Sequence, residues 1–203
     1  MATRAGAIVL AAGRSQRLGR PKVSSTLGGR TFLSLVLEAL DDPRIVEHRI
    51  VVAPGQSVPG AGAALVENPH PERGQTSSVI CGIGALPADL DAILIHPVDV
   101  PLVTRADVAC VLCAFEAREA ANAAAIFVPS HDGRRGHPIC FPASRIGDIL
   151  ALGDAPLHRL LRAEGAAVVH VVVPDGGSVV DVDTEADLLR ASEIFARRGP
   201  EGV

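Results

Sequence analysis

Residues 8–22, from Ile8 to Lys22, read IVLAAGRSQRLGRPK. Ile8, Val9 and Leu10 form a short apolar run of the kind that fills a parallel strand buried on both faces. Ala11 and Ala12 are small enough to let backbone or ligand come close. Gly13 and Gly19 then bracket a loop that carries Arg14, Arg17, Arg20 and Lys22, with Pro21 stiffening the approach to the lysine. Glycines free backbone N–H groups to point at oxygens. Arginine meets phosphate in bidentate fashion and lysine meets it as a point charge, so this is a phosphate-handling composition.

The charge is local. Residues 1–30 hold six basic side chains and no acid, in a chain whose formal net charge is −4. A confined positive loop in an acidic chain suits a small polyanionic ligand and argues against a nucleic-acid surface. Two familiar loops are excluded. A Walker A loop needs Gly-Lys-Ser/Thr, and Lys22 is followed by Val23; a dinucleotide fingerprint needs G-x-G-x-x-G, and Gly13 is followed by Arg14, Ser15 and Gln16.

With 203 residues, 48% of them hydrophobic, the chain can bury one sizeable core, and residues 1–203 are expected to form one domain. Five Phe and no Trp or Tyr leave that core to Val, Leu, Ile and Ala, and give base stacking little to work with. No stretch approaches the roughly 20 apolar residues of a membrane span. The apolar part after Arg4 is too short for a leader and reads as the first strand, so a cytoplasmic location is expected. Cys81 and Cys140 are isolated, and Cys110 and Cys113 form a single C-x-x-C within a helical pattern; all four are expected to be buried packing thiols.

Further along, Phe32, Leu35, Val36 and Ala39 predict an amphipathic helix, Arg49–Ala53 a strand and Ala63–Val66 another. Breakers from Asn68 to Gly74 lead into a helix over Gln75–Leu86. Ala92–Ile95 reads as a buried strand running into His96-Pro97-Val98-Asp99, which sets Asp99 at the carboxyl end of the sheet, where open α/β folds bind ligands. Thr104 and Asp107 form a capping box for the next helix. Strands follow at Ala124–Pro129 and Val168–Val173, and Leu157, Leu160 and Leu161 mark a helix closed by Gly165. Val179–Asp183 reads as a closing strand that brings Asp181 and Asp183 to its end, just before a helix capped by Thr184 and Asp187. Strands alternating with helices predict an α/β fold, an open and mostly parallel sheet with helices on both faces.

The loop resembles the signature of the nucleotidyltransferases related to molybdenum cofactor cytidylyltransferase, Leu-Ala-Ala-Gly-x-Ser-x-Arg-x-Gly-x-x-Lys. It matches at Leu10, Ala11, Ala12, Gly13, Ser15, Arg17, Gly19 and Lys22. The resemblance continues at Asn68, Pro69, Gly74, Ser77, Ser78 and Gly82, at Gly136-His137-Pro138, and at Asp181, Asp183, Thr184, Asp187 and Leu188. It implies a Rossmann-like sheet of the nucleotide-diphospho-sugar transferase type. It further implies nucleotide contacts from the loop, Arg14 included, and from Asn68, Gly74, Ser77, Ser78 and Gly82; an N-cap role is the other reading of the two serines. Lys22, Arg17 and Asp99 are the expected catalytic residues, and Gly136, His137 and Pro138 belong to the lobe that receives the acceptor.

The activity implied is transfer of CMP from CTP to a molybdopterin-type cofactor with release of pyrophosphate. The Leu-Ala-Ala-Gly loop resembles that of CTP users, whereas related GTP users tend to have glycine in place of Ala12. Such a transfer needs a divalent ion on the α-phosphate and the leaving pyrophosphate. Mg²⁺ is expected on Asp99 and Asp183, with Asp181 as the alternative ligand and Asp183 preferred by resemblance to sugar-nucleotide synthetases. The expected partners are CTP and a small phosphorylated acceptor, with no nucleic acid and no membrane. Departures at Val98, at Ser24-Ser25-Thr26 and at Pro156-Leu157-His158-Arg159 fall on the acceptor side. They leave open another phosphorylated small molecule, such as a sugar phosphate, or a nucleotide-binding module without catalysis.

Overall fold

The structure, a computed structural model, describes residues 3–13, 18, 22–58, 64–163 and 167–198. Its strands are β1 (Ala5–Leu10), β2 (Thr26–Leu27), β3 (Arg30–Thr31), β4 (Ile45–Val52), β5 (Ala64–Glu67), β6 (Ala92–Pro97), β7 (Ile126–His131), β8 (Arg134–Arg135), β9 (Ile139–Pro142) and β10 (Val168–Val172). The helices are α1 (Phe32–Ala39), α2 (Gln75–Gly84), α3 (Arg105–Glu116), α4 (Ile146–Ala151), α5 (His158–Arg162) and α6 (Glu185–Arg198).

β1 is buried at all six positions and sits inside the sheet, whose strand order is β10-β7-β9-β6-β1-β4-β5, with β8 paired to β7. β1 runs parallel to both neighbours, Ile8 lying opposite Arg49 on β4 and Ile95 on β6. Alternation along the strand splits the core between two faces. Ala7 and Val9 pack with Leu35 and Val36 of α1, Val108 and Val111 of α3, and Ala191 of α6. Ile8 and Leu10 pack on the other face with Val79 of α2, Ile149 of α4 and Leu160 of α5. The fold is therefore the expected α/β arrangement, a mostly parallel sheet between two helical layers.

Within this sheet β9 is antiparallel to both β6 and β7, and β8 is antiparallel to β7. The turn after β7 uses Asp132 at φ 49° and Gly133 at φ 74°, which returns the chain through β8 and reverses its direction before β9. α3 starts as its sequence requires: Asp107 N donates to Thr104 Oγ1 at 3.2 Å and Thr104 N donates to Asp107 Oδ2 at 3.1 Å, closing the capping box.

Two expectations are corrected. Val179–Asp183 is not a strand: Gly176–Val179 is a three-ten turn, tied by Gly177 N donating to Asp175 Oδ1 at 2.6 Å, and the next residues run irregularly to α6. β10 already holds the sheet edge beside β7, so no pairing position is open to them there. Cys113 is exposed and takes a hydrogen bond from Arg44 Nη1 at 3.3 Å, Cys81 and Cys110 are half-buried, and Cys140 alone is fully buried. Burial pushes the Cys140 thiol up to about 12. Gly165 lies outside the described residues. Among those described, no helix is long and apolar enough to cross a membrane.

Candidate active site

Leu10 and Pro97 face each other in register where β1 and β6 end. Beyond them the two chains stay joined, Val98 N donating to Leu10 O at 3.0 Å, while Ala11 N turns to Val51 O of β4 at 2.8 Å. A cavity of about 300 Å³ opens at this carboxyl edge. One wall is Leu10 to Gly13 and another is Pro97 to Asp99; the third is Pro71 with the start of α2, at Gly74, Gln75 and Ser78. Gly74 sits at φ 95°, a backbone state that glycine alone adopts readily, and it lets the chain swing from the preceding turn into α2. Among the described residues, a Cβ on Gly13 would meet no atom within 4 Å beyond its chain neighbours.

Lys22 also lines this cavity. Its Nζ donates to Asp99 Oδ2 at 2.6 Å and to Asp183 Oδ1, so two carboxylates distant in sequence converge on one ammonium. Val182 N donates to Asp99 O at 2.8 Å, the backbone bond that lays the 181–183 segment on the end of β6. Asp187 Oδ2 fixes the other side of that segment, accepting from Thr184 N at 2.9 Å and Thr184 Oγ1 at 2.7 Å. Burial pulls the Lys22 ammonium down, but its hydrogen bonds to Asp183 and Asp99 and their charges outweigh burial and raise it above the ordinary lysine value. The Asp181 carboxyl is pushed up by desolvation and by the Asp99 and Asp183 charges, against the pull of Lys22 and Arg134.

The expected site residues divide. Leu10, Ala11, Ala12, Gly13, Lys22, Gly74, Ser78 and Asp99 share the cavity, and Asp183 joins it through Lys22. Arg14, Ser15, Arg17 and Gly19 lie outside the described residues. Asn68 is 1% exposed, and its Nδ2 donates to Ser77 Oγ and Ser78 Oγ, each at 2.9 Å. Ser77 Oγ in turn donates to Gly74 O at 2.7 Å. The Asn68 and Ser77 side chains thus hold the α2 start against the end of β5 and line a neighbouring recess, while Ser78, which accepts from Asn68, also lines the cavity. The N-cap position belongs to Gly74, not to either serine.

Gly82 and the Gly136-His137-Pro138 tripeptide carry packing contacts. Gly82 packs against the sheet, where an added Cβ would come 2.6 Å from Ile8 Cγ2. Gly136 and Pro138 are buried, and a Cβ on Gly136 would run into Ser178 O. His137 N donates to Ser178 O at 2.9 Å, and its half-buried ring stands edge-on to His96 with centroids 6.1 Å apart. Burial lowers the His137 imidazole against the raising pull of Asp99. The glycine and proline of this tripeptide thus serve packing beside the carboxylates. Sequence reasoning missed Gln75, Pro71 and Pro97 as cavity residues; the one available signal for Gln75 is its place at the expected start of α2.

Residues 7–169 match the MobA-like NTP transferase domain family. A molybdenum cofactor guanylyltransferase of Cereibacter sphaeroides is 32% identical over 199 residues, covering 94% of this chain and 96% of that protein. A 2-C-methyl-D-erythritol 4-phosphate cytidylyltransferase of Streptomyces coelicolor is 35% identical over 234 residues, covering 96% and 86%. Among solved structures, the Mycobacterium sp. strain JC1 homologue of Mycobacterium tuberculosis Rv0371c superposes with a TM-score of 0.79 at 24% identity, covering 97% of this chain and 99% of that one.

Proposed function

The chain belongs to the MobA-like NTP transferase family and is a nucleotidyltransferase, and on that premise we propose that it moves CMP from CTP to a molybdopterin-type phosphorylated acceptor. The observation that carries this reading is the single cavity in which a wall of small residues, Leu10 to Gly13, faces a lysine held by two carboxylates. The small residues admit the nucleotide close to the backbone, with Arg14, Ser15, Arg17 and Gly19 of the same loop assigned to the triphosphate. Ser78 and Gln75 stand across the cavity, where an amide and a hydroxyl can meet base or ribose.

An oxygen of the acceptor phosphate attacks the α-phosphorus. The bond from that phosphorus to the bridging oxygen breaks, and pyrophosphate leaves with the electron pair. A phosphate monoester loses its second proton near pH 6, so at neutral pH the attacking oxygen is already ionised and no protein base is required. What the protein must supply is positive charge and alignment. Lys22 gives the charge, since its raised pKa keeps it protonated throughout the physiological range.

Asp99 and Asp183 are the residues that would hold Mg²⁺, and their chemistry fits. Both present hard carboxylate oxygens to one point, marked by the Lys22 ammonium. Among the described residues no group of three His, Cys, Asp or Glu could hold a metal alone. That suits an ion that takes one or two carboxylates and completes its shell with water and substrate phosphates. When bound, the ion would neutralise charge on the α-phosphate and on pyrophosphate.

The relatives favour a second reading of each substrate. A guanylyltransferase that aligns over 94% of the chain supports GTP as donor, and the methylerythritol phosphate cytidylyltransferases support CTP with a different phosphorylated acceptor. The test is pyrophosphate release with each of the four nucleoside triphosphates, with and without molybdopterin cofactor or methylerythritol phosphate. Acceptor-dependent release from CTP with molybdopterin supports the proposal. Preference for GTP transfers it to the guanylyl reading, and turnover only with methylerythritol phosphate transfers it to the other acceptor.

A further inference from the structure

We infer that Lys22 is a resident cation of the Asp99–Asp183 pair, exchanged for the divalent ion only when nucleotide arrives, so that metal and triphosphate load as one unit. The inference rests on the metal assignment made above. The ammonium lies 2.6 Å from Asp99 Oδ2 and also bonds Asp183 Oδ1, and the three side chains are 13%, 26% and 32% exposed. A magnesium ion sits about 2.1 Å from its oxygens, so an ion on these same two oxygens would stand close beside the Lys22 ammonium and the two cations would repel.

Lys22 has somewhere to go. It lines the cavity together with Gly13, and its flexible four-carbon stem can redirect the charge from carboxylate to phosphate without moving the backbone. The departing ammonium then meets the triphosphate while the carboxylates meet the ion that the triphosphate carries, each charge changing partner without being left bare. Without nucleotide, an incoming ion would have to expel the ammonium into the cavity uncompensated. The empty enzyme therefore resists idle metal, and its carboxylates do not repel one another while they wait.

The test measures Mn²⁺ alone, with free ion counted by electron paramagnetic resonance, on the full chain without nucleotide. Lys22→Met removes the competitor and is expected to tighten Mn²⁺ about tenfold, the scale of a charged hydrogen bond no longer to be broken. Lys22→Gln, which keeps a donor but loses the charge, should tighten it in the same direction and serves if the methionine variant does not fold. Lys22→Arg should bind no more tightly than the parent chain. Unchanged or weaker Mn²⁺ in the uncharged variants, with binding still lost in Asp99→Asn, overturns the exchange and leaves the metal assignment standing. Mn²⁺ binding indifferent to Asp99→Asn overturns the metal assignment itself, and the exchange with it.

Discussion

His96 lies on β6, 0% exposed, three residues before Asp99. Its Nε2 bonds Val100 O at 3.0 Å, and because a carbonyl only accepts, Nε2 carries the proton. Among the described residues its buried Nδ1 has no partner, so a second proton there would be an unmet charge in a buried site. Burial first, then the neighbouring His137, lowers this imidazole from 6.5 to about 3. Above pH 6.5 both folded and unfolded chains are neutral at this position and it contributes no pH dependence. Below it the unfolded chain binds a proton that the native chain refuses, so stability falls as pH falls, down to about pH 3. By pH 5 the loss is about 2 kcal/mol, from roughly 1.4 kcal/mol per pH unit beyond the unfolded pKa. Denaturant unfolding at pH 7, 6 and 5 checks it against His96→Gln, which keeps a donor for Val100 O and cannot titrate. The parent should lose about 2 kcal/mol more than the variant across that interval. Parallel losses would refute the reasoning.

Gly82→Ala should destabilise by about 1–3 kcal/mol, because its Cβ would sit 2.6 Å from Ile8 Cγ2 under the central strand; thermal unfolding measures this. Asn68→Ala, which strips the bonds to Ser77 and Ser78, is expected to lower stability by about 1–3 kcal/mol. A raised KM for nucleotide with unchanged stability would instead return Asn68 to the binding site. Lys22→Ala should lower kcat on the order of 100-fold as a lost charge stabiliser, and a folded variant with near-normal turnover would reduce the lysine to a surface cation.

The sheet is largely legible because its strongest elements obey one rule each. An unbroken apolar run at Ile8 can only be satisfied on both faces, and Thr104 with Asp107 three residues on can only begin a helix economically. Asp99 is legible as a site residue because a carboxylate directly after a buried strand has a single edge to occupy. Ile139–Pro142 is buried throughout and reads alike in either direction, so the direction of β9 is legible only through the Asp132-Gly133 turn before it, whose positive backbone angles reverse the chain. α4 is six residues long, too short to show a period. Lys22 is legible as a cation, but its partners stand 77 and 161 positions away. Nothing local announces that it rests on two carboxylates. The mutual bonds of Asn68, Ser77 and Ser78 are not legible for a related reason, since polar side chains beside a cavity can equally be turned on one another.

That pairing also revises what the loss of Asp99 should do. Two bare carboxylates would gain from losing one, but with Lys22 between them Asp99→Asn removes a partner and leaves Asp183 on the ammonium, so stability should fall slightly, by about 1 kcal/mol or less for a half-exposed pair. The central claim is that the same carboxylate serves nucleotidyl transfer. The most direct measurement is divalent-ion-dependent pyrophosphate release by Asp99→Asn beside the parent chain, at saturating nucleotide and acceptor. The expected result is turnover in the parent and its abolition in a variant that remains folded. A folded Asp99→Asn chain that keeps the parent's rate would contradict the account.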